Sequence, residues 1–390
     1  MTIIFFFPKP IRKSRYKTFQ LERLEKEGHD ILIIDATKYF NNDQKLPQEK
    51  IFHNTFNISS RQDLDQLKLP EEKVLFVTAD THLNTSSSLL NKLIRPGDIL
   101  LSYSNKAFAP VRLESNFVKK NLEKLINFFD DKLPLYKLKI YYKLYHKQII
   151  PDYFLGSTTY LTPLKVKLTV RKDKRIFVHS DDMNEIIDLV PASFKQSKKT
   201  AVFVDQALPF QGKIAPGLNE DFFPETYVED YYKKLNKSLE LLKTKLDLEE
   251  IIIALHPSSG FFIDEINNYI PSFRKEIWKT AQLVRDSDYV IIHFSAAVGF
   301  AIYFDKPVII LSDSVMISNK AWKEAITYFN EKLGISLFNM DNIKSVESFD
   351  INQNLELYRD HKINYIKDNS IPENSYYYAI KKIAVEENLK

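Results

Sequence analysis

The stretch Glu250–Ser314, EIIIALHPSSGFFIDEINNYIPSFRKEIWKTAQLVRDSDYVIIHFSAAVGFAIYFDKPVIILSDS, decides how this chain folds. Three short runs within it are apolar and β-branched: Ile251–Leu255, Tyr289–Ile292 and Val308–Leu311. Segments of helical character separate them. Such an alternation argues for parallel strands joined by crossover helices. Each run gives way to polar residues: His256, then His293 with Ser295, then Ser312 with Asp313. In an open parallel sheet the ligand crevice lies outside the carboxyl ends of the strands. These polar residues are therefore predicted to line one.

The same rhythm extends toward the N-terminus. Thr2–Phe7 reads as a strand, Thr18–Glu27 as a helix stopped by Gly28, and Asp30–Ile34 as a second strand. Val74–Thr78, Ile99–Ser102, Asp152–Leu155 and Arg175–Val178 are further strands. Pro191–Lys199, polar, basic and opened by proline, is the linker. A new series then starts with the strand Thr200–Val204. A helix over Glu225–Lys245 follows, with Tyr231, Leu235, Leu239 and Leu242 on one face, and from Asn354 onward the pattern is helical. At 390 residues the chain exceeds what one core usually supports. The expected fold class is α/β, with two Rossmann-like doubly wound domains. Residues 1–192 would form the N-terminal one, and residues 193–390 the C-terminal one with the C-terminal helices.

Composition closes off several classes. There is no cysteine, hence no disulfide framework and no thiolate chemistry. A net charge of +4 gives no reason to expect a nucleic-acid partner. MTIIFFFPKP lacks the basic region and cleavage site of a signal peptide. The longest apolar stretch, Tyr289–Leu311, is interrupted by His293, Asp305, Lys306 and Pro307, so it reads as strand–helix–strand. A cytoplasmic protein is expected. Only eight glycines occur, with no G-x-G-x-x-G, no P-loop and no G-x-S-x-G elbow. Residues 132–150 carry five lysines, four tyrosines and no acid. Two readings stand: a basic amphipathic helix resting on the inner membrane face or gripping a polyanionic acceptor, or a solvated helix with its tyrosines packed inward.

The candidate chemistry gathers at the strand ends. His256 follows a buried strand, and Pro257 fixes the turn, so the imidazole, Ser258 and Ser259 are predicted to face the crevice. There His256 could donate to a phosphate or act as general acid toward a phosphate leaving group. Ser295 is a natural N-cap for a helix over Ala296–Phe304, and small Ala296 leaves the first turn open to an anion beside His293. Asp205, ending its strand, is a candidate general base for an acceptor hydroxyl or else a loop carboxylate bonding backbone N–H groups. Its rivals are Asp181 and Asp182 after His179, and Asp80 with His82. Asp286-Ser-Asp288 precedes a strand, at the end away from the crevice, and reads as a turn. No residue set has metal-ligand spacing, and no metal is expected.

With these residues in view, the chain resembles the bacterial surface-carbohydrate glycosyltransferases of the GT-B fold. The resemblance rests on VFVDQALPF (202–210), YYKKLNKSLELL (231–242), IIALHPSSG (252–260) and SDYVIIHFSAAVGFAIYFDKPVIIL (287–311). It implies two Rossmann-like domains facing across a cleft, the first for the acceptor and the second for the nucleotide-sugar donor. Within that group, the HP pair followed by a serine-bearing motif is similar to sialyltransferases and polysialyltransferases of capsule and lipooligosaccharide biosynthesis, which use CMP-activated nonulosonic acids. By that resemblance His256 assists departure of the donor phosphate and Ser295 holds it, without a metal or other cofactor. The partners implied are a nucleotide-sugar donor and a glycan or lipid-linked glycan acceptor. The family's acidic-acidic-glycine motif has no recognisable counterpart. A nucleotide-sugar epimerase, a polyol-phosphate transferase and a non-catalytic scaffold of polysaccharide assembly remain alternatives on the same fold.

Overall fold

A computed structural model describes residues 1–8, 13–40, 54–78, 87–104, 149–157, 166, 169–187, 189, 199–210, 227–256, 259, 262–342 and 349–389. Two parallel sheets organise them. The first holds β1 (Thr2–Phe7), β2 (Asp30–Asp35), β3 (Thr55–Asn57), β4 (Leu75–Thr78), β5 (Ile99–Ser104), β6 (Tyr153–Gly156) and β7 (Arg175–Phe177). The second holds β8 (Thr200–Val204), β9 (Glu250–Leu255), β10 (Arg274–Ile277), β11 (Tyr289–Ile292), β12 (Val308–Ser312) and β13 (Ser336–Asn339). Their orders are β3-β2-β1-β4-β5-β6-β7 and β10-β9-β8-β11-β12-β13. Each order runs outward from its first strand, then reverses, which is the doubly wound pattern. The α/β fold with two Rossmann-like sheets is thus observed.

Both faces of each sheet are covered, so alternate residues are buried together. In the first unit Ile3, Phe5, Ile33, Val77 and Leu155 fall in one cluster, while Ile4, Phe6, Ile34, Phe76 and Leu100 join Leu89, Leu90 and Leu93 in another. In the second, Phe203, Ile251, Ile253, Ile291 and Leu311 pack with Tyr231, Leu235, Leu239 and Leu242 of the helix Tyr227–Lys245. The helix Thr280–Asp286 packs against β8 and β9.

Among the described residues, the first unit runs to Ile187 and also takes Lys367–Lys390, while the second holds Asp188–Ile366. The C-terminal helix Ser375–Glu386 therefore does not belong to the second domain as expected. Tyr376, Tyr377, Ile380 and Ile383 are sealed into the first unit's core, each contributing about 1.5–3 kcal/mol of apolar burial. Asn374 caps that helix, accepting from the backbone N–H groups of Tyr376 and Tyr377, and its amide donates to the Thr18 carbonyl at 2.9 Å. The linker segment 191–198 lies outside the described residues.

Three strands escape the sequence reading: β3, β10 and β13, all at sheet edges. β10 reads RKEI, and its charges suit an edge that must not recruit another strand. No described helix is long and apolar enough to cross a membrane. The basic segment falls outside the described residues over 132–148, so neither reading of it has a structural counterpart here.

Candidate functional site

Because β8 lies between β9 and β11, the second sheet reverses at the β8/β11 boundary. A parallel sheet opens a crevice at such a point, beyond the strand ends. The residues placed there are Asp205 and Gln206 after β8, His293 to Ser295 after β11, and His256 after β9. Strand spacing sets the tips of β9 and β11 about 10 Å apart across β8.

Asp205 is only 6% exposed, and both its oxygens are engaged. Oδ1 accepts the Ala207 backbone N–H at 3.0 Å. Oδ2 accepts the Ser259 hydroxyl at 2.6 Å and the His256 backbone N–H at 3.3 Å. The Ser259 N–H in turn donates to the His256 carbonyl at 2.8 Å. Of the two roles open to Asp205, the geometry shows the loop carboxylate. It clamps the turn after β9, and a free base poised at an acceptor is not what this arrangement presents. Ser259 is fully buried in that clamp and does not face a crevice. His256 is half-buried, at the mouth of the same turn. Pro257 and Ser258 lie outside the described residues.

His293 departs further from expectation. Its ring is wholly buried. Nδ1 lies 2.8 Å from the Leu311 carbonyl, and Nε2 lies 2.8 Å from the Tyr231 hydroxyl. A carbonyl only accepts, so Nδ1 carries the proton and Nε2 accepts from Tyr231. Burial drives the ring's pKa down to about 4, against the weaker opposing pull of the Leu311 carbonyl and Asp205. With both nitrogens committed inside the unit, His293 is a neutral structural link between β11, β12 and the helix Tyr227–Lys245, not a ligand for a phosphate.

The turn after β11 also differs from the expected helix start. The helix runs Val298–Tyr303, with Ala297 in the capping position and no side-chain cap. Ser295 sits one turn earlier: its Oγ accepts the Ala297 N–H at 3.2 Å, and its carbonyl accepts the Val298 N–H at 3.1 Å. Ser295 is half-buried and Ala296 exposed, so both remain at the edge of the crevice. Gln206 fixes this turn to β8 by accepting the Phe294 N–H at 2.8 Å.

Next along the edge, buried Asp313 caps Ser314–Ser318 and accepts the Tyr227 hydroxyl at 2.5 Å. Lys234 joins it to Asp230 and Asp341, at 2.7 and 2.8 Å from the last two. Burial alone would lower the Lys234 pKa; its hydrogen bonds to Asp230 and Asp341 raise it, so the ammonium persists. Sequence does not single out Tyr227 or Gln206, and it marks Tyr231 only as part of an apolar helix face. The tyrosines match the apolar periodicity of their helix, which hides their hydroxyl contacts. At the opposite end of the sheet, Asp288 accepts the Thr200 N–H at 2.8 Å and Asp286 pairs with Arg285 at 2.7 Å. Both serve the strand start, as the turn reading holds.

Of the rival bases, Asp182 belongs to the first unit, in the helix Asp181–Ile186 that Ser180 caps. Asp80 and His82 lie outside the described residues.

No family model matches the sequence, and no curated protein does. Among solved structures, the chain is similar to the wall teichoic acid polymerase TagF, with 12% identity over 100% of this chain and 90% of that one and a TM-score of 0.49. It is similar to a Staphylococcus aureus MnaA–UDP structure at 11% identity, covering 100% and 97%, with a TM-score of 0.49. A Methanocaldococcus jannaschii UDP-GlcNAc 2-epimerase in complex with UDP-GlcNAc and UDP gives 12% identity, 98% and 99% coverage, and a TM-score of 0.47. The strand orders above carry the fold assignment by themselves.

Proposed function

We propose that the protein is a metal-independent glycosyltransferase, its second unit binding a nucleotide-activated sugar and its first unit the acceptor glycan. One observation supports this most directly: the reversal point of the second sheet is flanked by the braced turn bearing His256 and by the Ser295 turn. A phosphate seated between them would meet an imidazole donor on one side and a hydroxyl with neighbouring N–H groups on the other. In the reaction, the bond from the sugar's anomeric carbon to the phosphate oxygen breaks, and the acceptor hydroxyl oxygen takes its place. His256 neutralises the departing phosphate by donating a proton or hydrogen bond. The acceptor's proton goes to a base; since Asp205 is occupied as a clamp, the candidates left from the sequence are Asp182 and Asp80. The donor we favour is a CMP-linked acidic sugar, and the setting surface-glycan assembly on the cytoplasmic face of a membrane.

The test is turnover of CMP-, UDP- and GDP-sugars and of CDP-linked polyols, with and without glycan acceptors, in the presence of EDTA. Acceptor-dependent transfer that is lost in His256→Ala supports the reading. Acceptor-independent isomerisation of a UDP-sugar would make it an epimerase, transfer from a CDP-polyol a polyol-phosphate transferase, and absence of any nucleotide binding a scaffold.

A further inference from the structure

The second unit buries Phe203, Tyr231 and Tyr232, leaves Tyr269 36% exposed, and exposes the Trp278 indole further, to 54%. Trp278 is one of two tryptophans in the chain; the other, Trp322, is 9% exposed. It is the first residue beyond β10 and adopts φ +66°, in the left-handed region. That conformation is unfavourable for a bulky side chain, whereas glycine or asparagine takes it readily. An exposed, strained tryptophan therefore gains nothing for the fold. Its place is informative: β10 pairs with β9 in the register Ile277↔Leu255, so Trp278 follows in step beside His256.

In a sheet of this order the nucleotide phosphate lies at the reversal point, and the ribose at the tip of the strand on the far side of the first one. Here those positions are the β8/β11 boundary and β9. The base then extends over β10, about 10 Å from β8, while the transferred sugar leaves from the phosphate end. We propose that Trp278 is the stacking platform for the base of the donor nucleotide, an inference that rests on the nucleotide-sugar reading above. Stacking tolerates any base, since every base offers a π-face. Trp278 thus sets how tightly a nucleotide is held, and leaves the choice of base to other contacts.

Calorimetric titration of the full chain with CMP, UMP, GMP and ribose 5-phosphate tests this. Trp278→Ala should weaken the nucleotides about 5- to 150-fold and leave ribose 5-phosphate unchanged, with Trp278→Phe retaining most of the affinity. In a Trp322→Phe background, where Trp278 is the sole indole emitter, CMP should quench the fluorescence and ribose 5-phosphate should not. Nucleotide affinity unaltered in Trp278→Ala, or equal weakening of all four ligands, overturns the stacking role. If binding requires His256 but not Trp278, only the stacking role falls. If the unaltered protein binds none of the nucleotides, the transferase reading falls and takes the stacking role with it.

Discussion

Strands β9 and β11 flank β8, and each is followed at once by a histidine. The two rings nevertheless differ in burial. His293 is sealed among Tyr231, Leu311 and Phe203, both nitrogens spent on the fold. His256 is half-buried, and its backbone N–H donates to Asp205, which also accepts the Ser259 hydroxyl. The helix Tyr227–Lys245 supplies the difference, because Tyr231 reaches the tip of β11 and draws that imidazole inward. Position at a strand tip confers access to a crevice only where no neighbouring helix claims the side chain first.

The contrast breaks most readily with a pair of alanine variants. His256→Ala should lower donor turnover about 10²- to 10⁴-fold while its urea midpoint stays near that of the parent. His293→Ala should do the reverse. It opens a cavity and leaves the Leu311 carbonyl and Tyr231 hydroxyl unpaired, at a cost of about 2–4 kcal/mol, with turnover per folded molecule largely kept. Swapped outcomes in activity and denaturation assays would exchange the two roles.

Acidification sharpens the same contrast. The unfolded His293 titrates near 6.5 and the folded ring near 4, so the unfolded chain takes up the proton first. Stability contributed by the neutral ring is complete above pH 6.5 and drains away as pH falls toward 4, by roughly 3 kcal/mol in all. His361, also buried with a pKa of about 4, contributes in the same direction. Urea denaturation between pH 7.5 and 4.5 should therefore show a steeper acid loss in the parent than in His293→Gln; parallel curves would mean that the ring is not sealed.

The smallest effect is expected at the clamp. Ser259→Ala removes one hydroxyl bond to a carboxylate, about 1.5–3 kcal/mol at most, and should loosen the turn bearing His256. Turnover should fall by less than in His256→Ala, with most of the loss in kcat. An unchanged kcat would show that the turn holds its shape without Ser259.

Much of this was readable in the residues, and the omissions have physical causes. Central strands such as Ile251–Leu255 and Tyr289–Ile292 are covered on both faces, and that burial writes a continuous apolar run into the sequence. Edge strands feel no such constraint, so RKEI of β10 resembles any charged turn. Ser295 stands near the predicted helix start, but capping signals resolve a helix end only to within a turn, and the helix begins at Val298. Asp205 leaves two roles open in sequence and His293 suggests the wrong one, because a strand-tip polar group looks alike in sequence whether it points at a ligand or at a buried hydroxyl. For the C-terminal segment, the sequence announces a helical pattern from Asn354 onward, but not against which sheet Tyr376, Ile380 and Ile383 pack.

That returning helix has a consequence for how the protein is made. During synthesis the described strands and helices of the second unit leave the ribosome before Lys367–Lys390 does, so the first unit lacks Tyr376, Tyr377, Ile380 and Ile383 until the second has been translated. The usual order, in which the N-terminal domain is completed first, is not open to this chain. The unit whose strands are translated first must wait, with an apolar surface open, for a segment that arrives only after the other unit has been synthesised.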